Sequence, residues 1–543
     1  MAPGGGSRRL HGRDLIRRAA APSKEGTSMK KFGGLLMAAA ALFAVAARAA
    51  DGPDGEASKD AKKEKAETPR AEQSVTQHSV TIGGKVIPYT ATAGLLILRN
   101  DNDEPIASVG YVAYTERDVA DASRRPITFA YNGGPGSSSI WLHMGALGPR
   151  RVVTADSGPT PPAPYKVVDN AYSILDKSDL VMIDAIGTGL SRAVGKSKDK
   201  DFWGVDQDID SFGRFVKQYV SDNNRWRSPK YLFGESYGTT RSAGLVEYLQ
   251  SRENMAFNGV VLVSVALDFE AIFAWPGNDR PFALYLPTYA AVAAYHHALP
   301  HQPAQLEPFL AEVRRYAWGE YSAALLKGDA LSEQERDAVA AKLHEYTGLA
   351  IEYIKKANLR VREPQFTQEL LREHHETVGR LDARFTGITF DLLAEDAQYD
   401  PQSAAISAAY TAAFLDYYHG DLKFGQGKSY NLSNREVFGS WDWKHRVGGP
   451  GFPLPVPNTG IDLGHAMGYN PNLHVLVLNG LYDLATPFGA TEEMMDHLGL
   501  DKDQRSHLQM KYYEAGHMMY VHEDSLKAMK ADVAAFIDAT THP

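Results

Sequence analysis

Short apolar runs recur along the chain at 127–131, 180–183, 231–233, 260–263 and 475–478, with little polar alternation inside them. Continuous runs of this length predict strands covered on both faces, in a mostly parallel sheet. Residues 508–513 read as the last of them. Earlier in the chain the pattern differs. Residues 78–82 and 85–90 flank Gly83-Gly84, which predicts a strand, a tight turn and a returning strand. Residues 106–114 form another run. Together they predict antiparallel strands along one edge of the sheet. Between about residues 270 and 470 the chain turns rich in Ala, Glu, Arg and His at helical spacing, and Ile406, Tyr410, Phe414 and Tyr417 fall on one helix face. A Gly/Pro-rich stretch, 447–457, then breaks helix formation. The expected organisation is one α/β domain in two parts, 75–269 and 471–543, split by a helical insertion over 270–470. No internal repeat is visible.

The amino terminus adds an address. Met29-Lys30-Lys31 precedes an apolar run at 32–47, and Ala47-Arg48-Ala49 closes it with an A-x-A cleavage pattern. This is the form of a secretory signal peptide, and the run falls short of the ~20 residues a spanning helix needs. Met29 is the expected true start, with 1–28 an upstream extension. Residues 50–74 are dominated by Asp, Glu, Lys and Ala and are expected to be a disordered linker. No later apolar run is long enough to span a bilayer, so an exported protein, periplasmic or extracellular, without stable membrane insertion is expected.

Length and composition narrow the function. A chain of 543 residues with 44% apolar content can bury a large core. It has no cysteine, which excludes disulfides, thiolate metal sites and a cysteine nucleophile. The formal charge is −9, and because residues 1–49 are net +7, the remainder is −16. An acidic body argues against nucleic acid as a partner, since phosphate contacts need clustered Lys and Arg.

The strand at 231–233 leads into Gly234-Glu235-Ser236-Tyr237-Gly238, and a helix-compatible run, 241–249, leads out. This is the G-x-S-x-G pattern of a strand, a sharp turn and a helix, which exposes a serine hydroxyl beside the backbone N–H groups opening the helix. A serine nucleophile needs a base, and the base needs an acid to orient it. In hydrolases of this architecture the acid and then the histidine follow the serine in the chain, each after a late strand. Asp483 follows the strand at 475–478, and His517 follows the strand at 508–513. One oxyanion-hole N–H is expected from Tyr237, the residue after the serine. The other is expected from the glycine-rich loop 132–139, Asn-Gly-Gly-Pro-Gly-Ser-Ser-Ser. A phosphate loop is a poorer reading of that segment, because no Gly-Lys-Ser/Thr follows. His296-His297 and His374-His375 are adjacent pairs without the spacing of helical metal ligands, and read as solvated helix faces. Asp176, Asp179 and Asp184 flank a strand and read as loop caps; Trp203 and Phe212 read as core or pocket lining. No cofactor or metal is implied.

With these residues in place the chain resembles a known family. Residues 132–139, Gly234-Glu-Ser-Tyr-Gly238, Asn479-Gly-Leu-Tyr-Asp483-Leu-Ala-Thr-Pro487 and Ala515-Gly-His517-Met518 look like the four signature blocks of the serine carboxypeptidases, here a bacterial member. Asn170-Ala-Tyr-Ser173 and the run 183–191 also fit. The resemblance spans about 127–521 and is weakest across the insertion. It implies an α/β-hydrolase fold with a large helical cap, and release of C-terminal residues from peptides with a free C-terminus. It further implies Ser236 as nucleophile, His517 as general base, Asp483 as its orienter, and Gly134 and Tyr237 N–H as the oxyanion hole. Asn132, Gly133 and Glu235 would hold the substrate's terminal carboxylate. A glutamate facing a carboxylate is a like-charge pair in which one member must carry a proton. Three positions depart from the family. Ala130 stands where a Trp is usual, Ala146 where a second Glu is usual, and Ser137 where a Cys is usual. The first two weaken the carboxylate site, so an esterase or acyltransferase using the same triad is the alternative expectation. A catalytically silent envelope binding protein is a more distant one.

Overall fold

The computed structural model describes residues 70–447 and 452–541. The expected signal peptide, upstream extension and linker up to residue 69 lie outside the described residues. Nine strands build the main sheet: β1 (Glu72–Ile82), β2 (Lys85–Arg99), β3 (Pro105–Glu116), β4 (Ile127–Tyr131), β5 (Asp179–Ile183), β6 (Lys230–Glu235), β7 (Gly259–Val263), β8 (His474–Gly480) and β9 (Leu508–Tyr513). With the two-residue strand Arg192–Ala193 beside β3 they form one ten-stranded sheet, in the order β1-β2-β3-β5-β4-β6-β7-β8-β9. Pairing is antiparallel from β1 to β5 and parallel from β5 to β9. This is the mostly parallel sheet with an antiparallel edge that the hydrophobic pattern predicts, and its architecture is that of the α/β hydrolases.

β1 begins at Glu72, inside the stretch expected to be linker. Its first residues pair with Leu95, Gly94 and Ala93 of β2, which runs well past the expected 85–90 to Arg99. As an edge strand, β1 leaves alternate side chains in solvent and so carries no apolar run at its start.

The inner strands β4, β5, β6 and β7 are buried along their whole length. Alternate residues feed two cores. Phe129, Val181, Leu232 and Val260 pack on α1 (Val205–Asp222) and α2 (Tyr237–Glu253). Ala130, Met182, Phe233 and Val261 face the other side, where they share a core with Tyr410 and Phe414 of α4 (Pro401–Gly420) and Phe536 of α5 (Glu523–Thr541). Trp203 and Phe212 belong to the first of these cores.

β7 and β8 are hydrogen-bonded neighbours, yet residues 264–473 separate them in the chain. That excursion is mainly helical and begins with α3 (Arg280–Tyr295). It has its own core of Leu286, Tyr289, Leu310, Val313, Leu343 and Phe366, in which the Tyr289 and Phe366 rings stack at 4.0 Å. Tyr482, Leu484 and Phe488, just beyond β8, complete that core. The excursion therefore packs on the loop that carries Asp483. One element in it departs from the helical pattern: strands Glu376–Val378 and Thr386–Ile388 pair antiparallel around the loop 379–385. No helix among the described residues is long and apolar enough to cross a membrane.

Candidate active site

Ser236 sits between β6 and α2 at φ 60°, ψ −130°, a region that costs a non-glycine residue about 1–3 kcal/mol. Its N–H donates to Val263 O at 2.9 Å, and its carbonyl accepts from Thr239 N at 2.8 Å and Thr239 Oγ1 at 2.7 Å. The glycines of the motif have a visible cause. A Cβ on Gly234 would lie 2.2 Å from Gly238 O, and one on Gly238 would lie 2.9 Å from Tyr131 O. Side chains there would push the turn off the sheet.

Asp483 follows β8 and is wholly buried. It accepts hydrogen bonds from Ala485 N (2.8 Å), Thr486 N (3.0 Å), Thr486 Oγ1 (2.6 Å) and His517 Nδ1 (2.8 Å). Donation from Nδ1 leaves Nε2 as the basic nitrogen. Burial opposes charge on His517, but the Asp483 carboxylate and its hydrogen bond outweigh burial, and the imidazole pKa rises above its ordinary value. The His517 carbonyl accepts from Ser264 Oγ at 2.7 Å, and Ser264 follows the residue whose carbonyl holds Ser236 N. Ser236, Asp483 and His517 thus lie at or beyond the carboxyl ends of β6, β8 and β9, with the serine and histidine segments tied to consecutive residues, Val263 and Ser264, at the end of β7. Among the described residues no hydrogen bond joins the Ser236 hydroxyl to Nε2. Contacts of this kind commonly tighten only in the substrate complex.

The glycine loop lies directly on the turn. A Cβ on Gly133 would stand 2.4 Å from Tyr237 N and 2.6 Å from Gly238 N, and Gly134 holds φ +108°. Tyr237 N–H opens α2 and so has no partner within its helix. The loop's far end is held by Asp184. Its carboxylate accepts from Ser139 N (2.8 Å) and Tyr430 OH (2.7 Å), and burial pushes its pKa up to about 6. Ser138 N and Oγ both donate to Leu432 O at 3.0 Å, so the insertion also touches the loop.

Asn132 and Glu235 meet in the interior. Asn132 Nδ2 donates to Glu235 Oε1 at 2.7 Å, and Asn132 Oδ1 accepts from Leu142 N at 3.0 Å. Glu235 is 3% exposed. Its Oε2 and the hydroxyl of neighbouring Tyr520 are both buried without a full hydrogen bond. The position that is usually a second glutamate, Ala146, lies in the π-helical turn His143–Leu147. Beside it, a Cβ on Gly145 would be 2.5 Å from both the Tyr410 hydroxyl and the Tyr520 ring. Two tyrosines therefore crowd this turn, next to Glu235.

Burial, above all, pushes the Glu235 pKa up to about 7, against opposing effects of His517, Tyr520 and Asn132. An acid whose folded pKa is raised contributes stability below its unfolded pKa of about 4.5 and loses it as pH rises towards 7. Glu235→Gln, which stays neutral, is expected to match wild-type stability near pH 4.5. It should exceed wild type by roughly 3 kcal/mol above pH 7. Chemical denaturation at a series of pH values checks this; parallel curves would mean Glu235 is not held protonated by the fold.

One part of the site had no motif. The loop 379–385 of the insertion is stitched to the segments that carry Asp483 and His517. Leu484 N donates to Arg380 O and Ala383 N to Tyr482 O, each at 3.0 Å, while His517 N donates to Leu381 O at 2.6 Å. Asp400 supports the loop from below, accepting from Arg380 N (2.7 Å) and Leu381 N (3.0 Å), while its second oxygen caps α4 through Ser403 N (2.6 Å). His296, read from the sequence as a solvated residue, is instead partly buried and donates from Nε2 to Ala383 O at 2.5 Å. The one signal for any of this is Asp400-Pro401, a helix-start pattern. Among the described residues no group of three acidic or histidine side chains is placed to hold a metal.

Residues 90–268 match the family model described as serine carboxypeptidase. No curated protein matches the chain. Among solved structures, the prohormone-processing carboxypeptidase Kex1 of Saccharomyces cerevisiae is similar at 15% identity and TM-score 0.52, covering 83% of this chain and 92% of that one. A proline iminopeptidase of Mycobacterium smegmatis is similar at 14% identity and TM-score 0.33, covering 86% and 99%. The family match falls on the segment that carries both the glycine loop and the serine turn, and there the chain is similar to the serine carboxypeptidases, on an α/β-hydrolase fold.

Proposed function

We propose that the protein removes C-terminal residues from peptides through an acyl-enzyme on Ser236. The carrying observation is the His517–Asp483 hydrogen bond of 2.8 Å, set beyond the same sheet edge as the strained Ser236 turn. In this reading the Ser236 hydroxyl attacks the scissile carbonyl carbon and gives its proton to His517 Nε2. The resulting oxyanion is met by the N–H groups of Gly134 and Tyr237. The imidazolium then protonates the leaving amine, and water, deprotonated by the same nitrogen, releases the acyl group. Asp483 keeps the imidazole in the productive tautomer and offsets its charge. The insertion acts as a cap over the site. The signal-peptide pattern at 29–49 supports export to the periplasm or beyond. Amino-terminal sequencing of the mature protein tests that address; a start before Ala50 would count against it.

The substrate test compares an N-blocked dipeptide with its C-terminal amide and its ester. A carboxypeptidase prefers the free acid, and mass spectrometry of a longer peptide shows a ladder shortening from the carboxyl end. Two pH effects should separate. Loss of neutral His517 lowers kcat on every substrate as pH falls through its raised pKa. Protonation of Glu235, at about 7, lowers KM for the free acid alone, if the substrate carboxylate reaches it. An ester-only profile would favour the second reading, an esterase or acyltransferase. That reading draws on Ala130, Ala146 and the tyrosines packed against Gly145.

A further inference from the structure

Arg241 lies on α2, little more than one turn beyond Ser236, and is 1% exposed. Its Nε donates to Asp208 Oδ2 at 2.7 Å and its Nη2 to Asp208 Oδ1 at 3.2 Å, a bidentate pair with a carboxylate of α1 that is itself 2% exposed. The remaining nitrogen, Nη1, donates to the Asn132 backbone carbonyl at 2.9 Å. The guanidinium carbon sits 4.1 Å from the Phe212 ring centre, 5.0 Å from that of Tyr131 and 5.6 Å from that of Tyr237. Aromatic faces on several sides and a forked carboxylate leave the cation little freedom.

A buried ion pair is a poor device for stability alone, because apolar side chains of similar volume often serve as well or better. This pair does something apolar side chains cannot do. Asn132 O belongs to the peptide plane that opens the glycine loop, and the Gly134 amide lies one peptide further on. Without a donor the carbonyl would be buried unpaired, and the plane could rotate. We propose that Arg241, clamped by Asp208, is a positioning residue that fixes the oxyanion loop in register with the nucleophile helix. The inference rests on the acyl-enzyme reading given above.

The test is the double variant Arg241→Met/Asp208→Leu, which removes both charges together. It is read by thermal unfolding, by kcat and KM on an N-blocked dipeptide ester, and by the affinity of a peptide boronic acid whose tetrahedral adduct places an oxygen in the oxyanion site. The active fraction is counted by fluorophosphonate titration. The single variant Arg241→Met should be strongly destabilised, because it strands the Asp208 charge. The double variant should recover most of the lost stability. Its kcat per active site should remain about 10- to 100-fold low, with KM changed less than about twofold and boronate affinity reduced in step with kcat. A folded double variant with wild-type kcat and boronate affinity overturns the proposal. Should it not fold, Arg241→Lys retains the charge but cannot reach both partners as a fork, and the same paired losses are expected; full kcat in that variant also overturns it. Retained activity in Ser236→Ala would instead bring down the underlying reading, so the two failures are distinguishable.

Discussion

Ser236→Ala is expected to lower kcat by about 10⁴–10⁶, the scale on which loss of a triad nucleophile acts. KM should change little, because the hydroxyl takes part in bond making rather than in substrate binding. The variant should also lose covalent labelling by a fluorophosphonate. Its melting temperature should stay close to wild type, because no hydrogen bond from the hydroxyl is present among the described residues and alanine keeps the same backbone demand at φ 60°. Single-turnover assays on a dipeptide ester check the first claim. Activity within tenfold of wild type would mean that a different group attacks the substrate.

Gly133→Ala is expected to cost about 10²–10³ in kcat, the range seen when an oxyanion donor is lost. The added methyl would meet Tyr237 N at 2.4 Å, Gly238 N at 2.6 Å and Glu235 O at 2.8 Å. All three are backbone atoms on both sides of the serine, so no side chain can swing away to make room. The loop and the helix start must separate, and the Gly134 and Tyr237 N–H groups proposed to meet the oxyanion then diverge. Overpacking of this kind also destabilises by about 1–3 kcal/mol. Measuring kcat per titrated active site separates the two effects. Wild-type turnover in a folded Gly133→Ala would mean that the spacing between the loop and the helix start is not used in catalysis.

The serine turn, the glycine loop, Asp483 and His517 could be picked out because each has a residue type that the proposed chemistry requires, after a strand that the apolar runs mark. The inner strands were legible because burial on both faces leaves no polar position in them. The edge strands were longer than their pattern. β2 runs on through Ala91, Ala93 and Gly94, residues that pack a sheet without marking one, and so joins the apolar run Leu95–Leu98 to the segment 85–90. Supporting residues were not legible at all. Arg241, Asp208, Thr486 and Asp400 act through backbone carbonyls, amides or another side chain's carboxylate, contacts that any of several residue types could make from many sequence positions. The loop 379–385 was invisible for the same reason, since its hydrogen bonds to residues 482, 484 and 517 are made by the main chain. Glu235 was legible in position and not in setting: nothing in the motif indicates that it is buried beside Tyr520.

The main-chain seam between residues 380–383 and the two late loops makes the inserted segment inseparable from the machinery beneath it. A chimera that exchanged the whole excursion to alter substrate choice would unpick the backbone supports of the Asp483 and His517 segments at once. Grafts that leave 379–385 and Asp400 in place, and replace only the helices further out, are the ones that should keep a working enzyme.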